Sequence, residues 1–280
     1  MKKLFALIFI LSILLGACTP AAPQTAEPIV EEVVPTKALP PEPTEEPQPE
    51  VMTFVDGLGN TLEFTEYPQA IVSISASTTE VLFAIGAGDQ VVGRDEYSLY
   101  PEEALEVTSI GALWEELPAE AILALEPDLI VAAEIISEEQ VLALQELGLN
   151  VYWQANPTDY EGLWQNLRNF GMLTGHEEET ETLIVDLEAR VEIVQEKIAT
   201  SSFLPSVFYE LDATDPANPW TTGSGTFIDY IITTAGGTNA ASELEGDYAQ
   251  IGSEALIAIN PDVILLADAP YGVTPEAVLE

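Results

Sequence analysis

A gapless internal repeat constrains the fold of this chain more than any other feature. The segments EAILALEPDLIVAAE (Glu120–Glu134) and EALIAINPDVILLAD (Glu254–Asp268) align at an offset of 134 residues. Each reads as a short amphipathic helix, a Pro-Asp turn and a buried, mostly aliphatic strand. A helix–turn–strand unit seen twice predicts an α/β protein of two similar lobes with mainly parallel sheets. In the first lobe, Thr53–Val55 and Thr61–Phe64 flank an Asp56-Gly57 turn and read as a hairpin. Ile71–Ile74 reads as a short buried strand. Ser77 is the expected helix N-cap, with Glu80 at capping-box spacing, and the helix should stop at Gly86.

Between the repeats lies a helical tract. Leu183, Leu187, Val191, Val194 and Ile198 recur at spacings of 4, 4, 3 and 4, one face of a helix. A shorter helical stretch with Leu163, Trp164 and Leu167 precedes it. A helix of about 20 residues is roughly 30 Å long, the width of a lobe, and is expected to act as a stiff bar beside a preformed cleft. The expected divisions are an N-terminal lobe over 51–156, a helical connector over 157–202 and a C-terminal lobe over 203–280. In the first lobe the repeat leads into a helix near Ser137–Leu147 and a strand at Asn150–Trp153. Their counterparts 134 residues on pass the end of the chain, so the second lobe is expected to stop within a helix at Thr274–Glu280.

The first fifty residues are of another kind. Lys2 and Lys3 precede an apolar run, Leu4–Leu15. It is shorter than the roughly 20 residues that span a bilayer and has the form of a secretory signal. It ends Leu15-Gly16-Ala17-Cys18, similar to the bacterial lipobox, and Cys18 is the chain's one cysteine. Lipidation there is the expectation; an ordinary signal with an incidental Cys is the alternative. Residues 19–50 are crowded with Pro and Glu, which forbid helix and repel one another, and read as an extended, disordered stalk. The chain is thus expected outside the cytoplasm, lipid-anchored to a membrane.

Charge and residue counts narrow the function. Seven Lys+Arg against 48 Asp+Glu give a net charge of −41, the wrong sign for a nucleic-acid partner. One Cys and one His exclude a disulfide framework and argue against His-rich zinc chemistry. Gly223-Ser224-Gly225 lacks the Gly-x-Ser-x-Gly elbow, Gly86-Ala87-Gly88 closes a helix rather than opening one, and His176 in its acidic run reads as exposed and inert. Nothing pairs a nucleophile with a base, so binding is expected rather than catalysis, by a monomer with no cofactor of its own and no metal ligand set.

Lipobox, acidic stalk, repeated α/β lobes and helical bar together resemble a class III solute-binding lipoprotein of an ABC importer. The likeness covers about residues 51–280. It is to the periplasmic-binding family for iron chelates and cobalamin, and most nearly to its vitamin B12-binding branch. The motifs that carry it are the repeat, Gly93–Pro101 and Asn218–Gly225. The resemblance implies an aromatic cleft between the lobes, with Tyr97 and Trp114 on one side and Trp220 and Tyr248 on the other. Trp153 ends a strand and could reach its rim. The alternative is that these are ordinary core or surface aromatics.

The resemblance further implies docking on the two permease subunits, which work with an ATPase, through Glu120 and Glu254. Both could equally be solvated first-turn residues favoured by the helix dipole. Arg94 is the one basic residue expected near the cleft, which disfavours a highly anionic chelate. Cobalamin or a related corrinoid is therefore the first candidate ligand, with a ferric hydroxamate siderophore or haem as alternatives. A sensory or adhesion module without a transporter is the alternative of another class.

Overall fold

A computed structural model describes residues 51–113 and 117–275. The signal sequence, Cys18, the Pro/Glu-rich stretch, Trp114 and the end of the expected C-terminal helix lie outside the described residues.

Strands β1 (Met52–Val55) and β2 (Thr61–Phe64) form the expected antiparallel hairpin, Met52 opposite Phe64. Its turn is organised by Asp56, whose carboxylate accepts from the Asn60 amide at 2.8 Å and the Asn60 side chain at 3.0 Å. Then follow β3 (Ile71–Ser73), α1 (Ala76–Ala84), β4 (Val91–Arg94), β5 (Thr108–Ser109), α2 (Ala119–Leu123), β6 (Leu129–Ala133), α3 (Glu138–Glu146) and β7 (Val151–Gln154). The five strands β3 to β7 make one parallel sheet in the order β5-β4-β3-β6-β7. Winding runs outward from β3 to one edge and resumes at β6 toward the other, so β3 and β6 flank a topological switch point.

The N-cap of α1 is Ser75, not Ser77. The Ser75 hydroxyl does not cap the helix; it lies 2.7 Å from the Thr78 hydroxyl and accepts the Ala133 amide at 3.1 Å, tying the helix to the end of β6. The helix does stop at Gly86, which takes φ 90°, a conformation that costs a residue without a Cβ little. The α3 helix carries a full capping box, Ser137 with Gln140.

Helices α4 (Tyr160–Thr174) and α5 (Glu177–Ile198) form the connecting tract. At 1.5 Å per residue, the 22 residues of α5 span about 33 Å. Trp164, Leu167, Phe170 and Leu173 of α4 are buried, whereas α5 buries only Thr180 and Ile184. Val194, expected on its apolar face, is 43% exposed and borders an open cleft with Tyr160 and Leu163 of α4. His176 is not free in solvent: it is the half-buried N-cap residue of α5, its Nδ1 3.0 Å from the Thr174 carbonyl oxygen.

The second sheet is built from β8 (Ser206–Asp212), β9 (Trp220–Thr222), β10 (Thr238–Asn239), β11 (Tyr248–Gln250) and β12 (Val263–Leu266), with α6 (Phe227–Thr234) and α7 (Ser253–Ile259). Val207 pairs with both β10 and β12, and Glu210 with both β9 and β12. Strands β10 and β9 therefore share one edge of β8, and β12 takes the other in parallel register. The sheet is mixed, since β9 runs antiparallel to both β8 and β11.

The repeat is reproduced in space. Glu126 and Asn260, 134 residues apart, both adopt left-handed backbone, at φ 48° and 50°. In the turns that follow, the Asp128 carboxylate accepts the Gln69 amide at 2.7 Å and Asp262 accepts the Ser206 amide at 2.9 Å. Each aspartate thus pins the start of its sheet's central strand. The surroundings differ. Leu129 and Val131 are fully buried beneath α1 and α4, whereas their counterparts Val263 and Leu265 are 38% and 45% exposed.

Candidate functional site

In an open parallel sheet, loops at the carboxyl ends of the strands diverge at the switch point and leave a crevice. A cavity of about 630 Å³ lies there. The first lobe lines it with Ile74, Ser75 and Ala76 after β3, Asp95 and Tyr97 after β4, Leu113 after β5, Ile135 and Ile136 after β6, and Gln140 of α3. The second lobe closes it with Asp212 and Thr214 at the carboxyl end of β8.

The first-lobe wall is held from behind by a buried chain of hydroxyls. Ser73 contacts Thr78 at 2.7 Å, Thr79 donates to Ser73 at 2.8 Å, and Thr79 contacts Ser98 at 2.8 Å. Ser98 donates to Asp95, whose other carboxylate oxygen accepts the Tyr97 amide at 3.0 Å. Because every member is satisfied, the network fixes the loop bearing Tyr97 on the end of β3. Tyr97 itself is 38% exposed and lines the cavity. On the far wall, the Thr214 hydroxyl and its amide, 2.6 Å from Asp212 Oδ1, hold the Asp212 carboxyl below the ordinary carboxylate range.

A second cavity has a volume of about 290 Å³. Ser77, Thr78 and Ala133 of the first lobe, Gln154 to Pro157, and several residues of α4 meet Phe227, Ile228 and Tyr248 of the second lobe around it. Burial pushes the Tyr248 phenol up, with the negative charges of Glu134 and Asp247 adding to the effect. Next to it, Tyr160 of α4 stacks on Trp164 at 5.8 Å and receives Tyr230 of α6 edge-on at 5.1 Å. This aromatic cluster joins the connector to the second lobe.

The expected site residues separate accordingly. Tyr97 lines the larger cavity and Tyr248 the smaller. Trp220, on β9, lines neither, but it pairs in register with Asp212 and is 42% exposed. Trp114 lies outside the described residues. Arg94 is not among the lining residues of either cavity. It is buried, its Nε donating to the Ala104 carbonyl at 2.8 Å and a terminal nitrogen to the Asp95 carbonyl at 2.9 Å. Trp153 is likewise core: it is 8% exposed and donates to the Ile136 carbonyl at 2.8 Å.

Glu120 and Glu254 are both exposed and occupy the second position of α2 and α7. Ser75, Asp95, Gln140, Asp212 and Thr214 escaped the sequence reading. The available signal was position: each follows, or lies near, the carboxyl end of a parallel strand.

Comparison with known proteins agrees with this architecture. An uncharacterized ABC transporter substrate-binding lipoprotein of Bacillus subtilis, YvrC, is 29% identical over 232 residues, 81% of this chain and 71% of its own. A cobalamin-binding protein of Halobacterium salinarum is 26% identical over 76% of this chain and 58% of its own. Among solved structures, the periplasmic heme-binding protein RhuT of Roseiflexus superposes with a TM-score of 0.64 at 28% identity, over 73% of this chain and 79% of that one. Residues 71–278, most of the chain, match the family described as periplasmic binding protein, and the chain belongs to that family.

Proposed function

We propose that this protein is an extracytoplasmic receptor that captures a metal chelate, cobalamin or a related corrinoid first among them. It would deliver that cargo to the permease of an ABC importer. The observation that carries the reading is the cavity of about 630 Å³ between the carboxyl ends of the two sheets, with the phenol of Tyr97 at its wall. Tyr97, Trp114, Trp220 and Tyr248 are the proposed ligand-contacting aromatics, with Arg94 behind the loop that bears Tyr97, held on the Ala104 and Asp95 carbonyls. Aromatic side chains bury roughly 150–250 Å² each and suit the face of a flat macrocycle. Lipidation at Cys18 would hold the receptor at the membrane, since acyl chains contribute about 0.8 kcal/mol per buried CH₂.

A second reading, haem, is favoured by one observation: phenols at both cavities, Tyr97 and Tyr248, of the kind that can ligate haem iron. A ferric hydroxamate siderophore is the other alternative cargo. The test is tryptophan fluorescence of the full chain titrated with cyanocobalamin, ferrioxamine and haemin, corrected for ligand absorbance. Saturation by cyanocobalamin at low micromolar concentration or below is the expected result. Saturation by haemin or ferrioxamine alone would keep the receptor and replace the corrinoid. Saturation by none, in a protein that melts cooperatively, would favour a sensory or adhesive module instead.

A further inference from the structure

Among the described residues, the lining of the larger cavity has no basic side chain, and its two charged groups, Asp95 and Asp212, are acidic and belong to opposite lobes. The four basic residues among those described are all engaged or placed elsewhere. Arg94 is buried on carbonyl oxygens, Arg168 pairs with Glu181 at 2.7 Å, and Arg190 and Lys197 lie along α5. The two carboxylates at the cavity are not equivalent. Asp95 is 4% exposed and its oxygens are taken by Ser98 and the Tyr97 amide. Asp212 is exposed, and its Oδ1 accepts the Thr214 amide at 2.6 Å.

The segment that follows is pinned from below. Asp268 Oδ2 accepts the Ala213 amide at 2.9 Å, so Asp212 and Thr214 stand on a fixed backbone. Behind them Glu210 and Asp268, both nine-tenths buried, each keep one oxygen without a partner. No cation among the described residues offsets that wall.

We propose that Asp212 is a charge filter of the cleft: it admits a chelate whose edge carries hydrogen-bond donors, primary amide or ammonium, and turns away one whose edge carries carboxylates. While the cleft is filled with water, the Asp212 charge is largely screened. When a macrocycle displaces that water, the charge acts through a lower effective dielectric. A donor against Asp212 then gains a charge-assisted hydrogen bond, whereas a carboxylate there meets an ionised group of its own sign. The hydrogen bond from the Ala213 amide to Asp268 restrains the backbone beside Asp212.

The inference rests on the receptor reading, and the experiment separates the two. Titration calorimetry of the full chain would compare cyanocobalamin with its separated monocarboxylate isomers, in which one peripheral amide is hydrolysed. At low salt, at least one isomer is expected to bind ten or more times more weakly than the parent. That gap is expected to shrink several-fold in Asp212→Asn and in molar salt, with the variant's unfolding midpoint unchanged. Equal binding of every isomer by the native protein, or a gap that Asp212→Asn leaves intact, would overturn the filter while leaving the corrinoid receptor standing. If cyanocobalamin does not bind, the corrinoid reading falls and the filter is judged on haemin, a dicarboxylate, against its dimethyl ester. Haemin binding as tightly as the ester would overturn it, and binding of neither would overturn both proposals.

Discussion

Glu210 and Asp268 sit near enough at the carboxyl end of the second sheet for one to influence the other's proton. Burial first, and the Asp268 charge second, push the Glu210 carboxyl above its ordinary value of 4.5. An unfolded chain releases that proton near pH 4.5, while the folded chain still holds it. Stability from this group is therefore present at low pH and declines as pH rises from about 4.5 through the folded value. Glu210→Gln removes the titration, so the variant is expected to be more stable than the native chain at neutral pH. The difference should vanish below pH 4.5. Thermal unfolding across a pH series checks this, and a variant no more stable at neutrality would refute it. Such residues were hard to see in sequence for a simple reason: among 48 acidic side chains a single carboxylate has no contrast. The rare aromatics stood out, and Asp128 and Asp262 stood out because they occur twice in register. Arg94 stood out for the complementary reason, as a lone cation beside a cleft motif, while its hydrogen bond to the Ala104 carbonyl had no local signal.

At the scale of elements, period and repetition were legible and partnership was not. Spacings of three and four residues announced α4 and α5, and the doubled segment announced α2–β6 and α7–β12. Which helix faces which is a contact between distant residues, and no local pattern encodes it. The cluster of Tyr160 and Trp164 with Phe227 and Tyr230 joins positions more than sixty residues apart. The two-residue strands β5 and β10 were invisible too, since they exist only by pairing with β4 and β8. If the aromatic cluster is the joint between connector and second lobe, Trp164→Ala should cost about 3–5 kcal/mol, as truncation of a buried Trp generally does. Equilibrium denaturation would measure it. A loss below about 1 kcal/mol would mean that the stack contributes little beyond a surface contact.

For the whole molecule, the placement that matters is that of two glutamates. Glu120 and Glu254 occupy the same position of the same element in each half, both exposed at the start of a short helix. A permease of two like subunits would meet the same carboxylate twice, and a carboxylate facing a guanidinium forms a directional, often bidentate pair. Glu120→Arg combined with Glu254→Arg is expected to leave ligand affinity unchanged and to abolish uptake in cells. Native uptake by the double variant would exclude docking at these positions. The two-lobe plan was readable because the chain states it twice. The cleft was only partly readable, because its polar lining comes from loops whose meeting depends on how the sheets are set side by side.

The brace made by α5 and the aromatic joint has a consequence for time rather than for shape. A receptor that must shut behind its cargo spends part of every capture event on that movement. A braced one does not, so arrival should proceed at the rate of productive encounters, within the ordinary span of about 10⁵–10⁷ M⁻¹s⁻¹ for oriented association. Preference among cargoes is then exercised on departure. A cargo that fits poorly leaves sooner, and the importer receives whatever has stayed long enough to be carried to it.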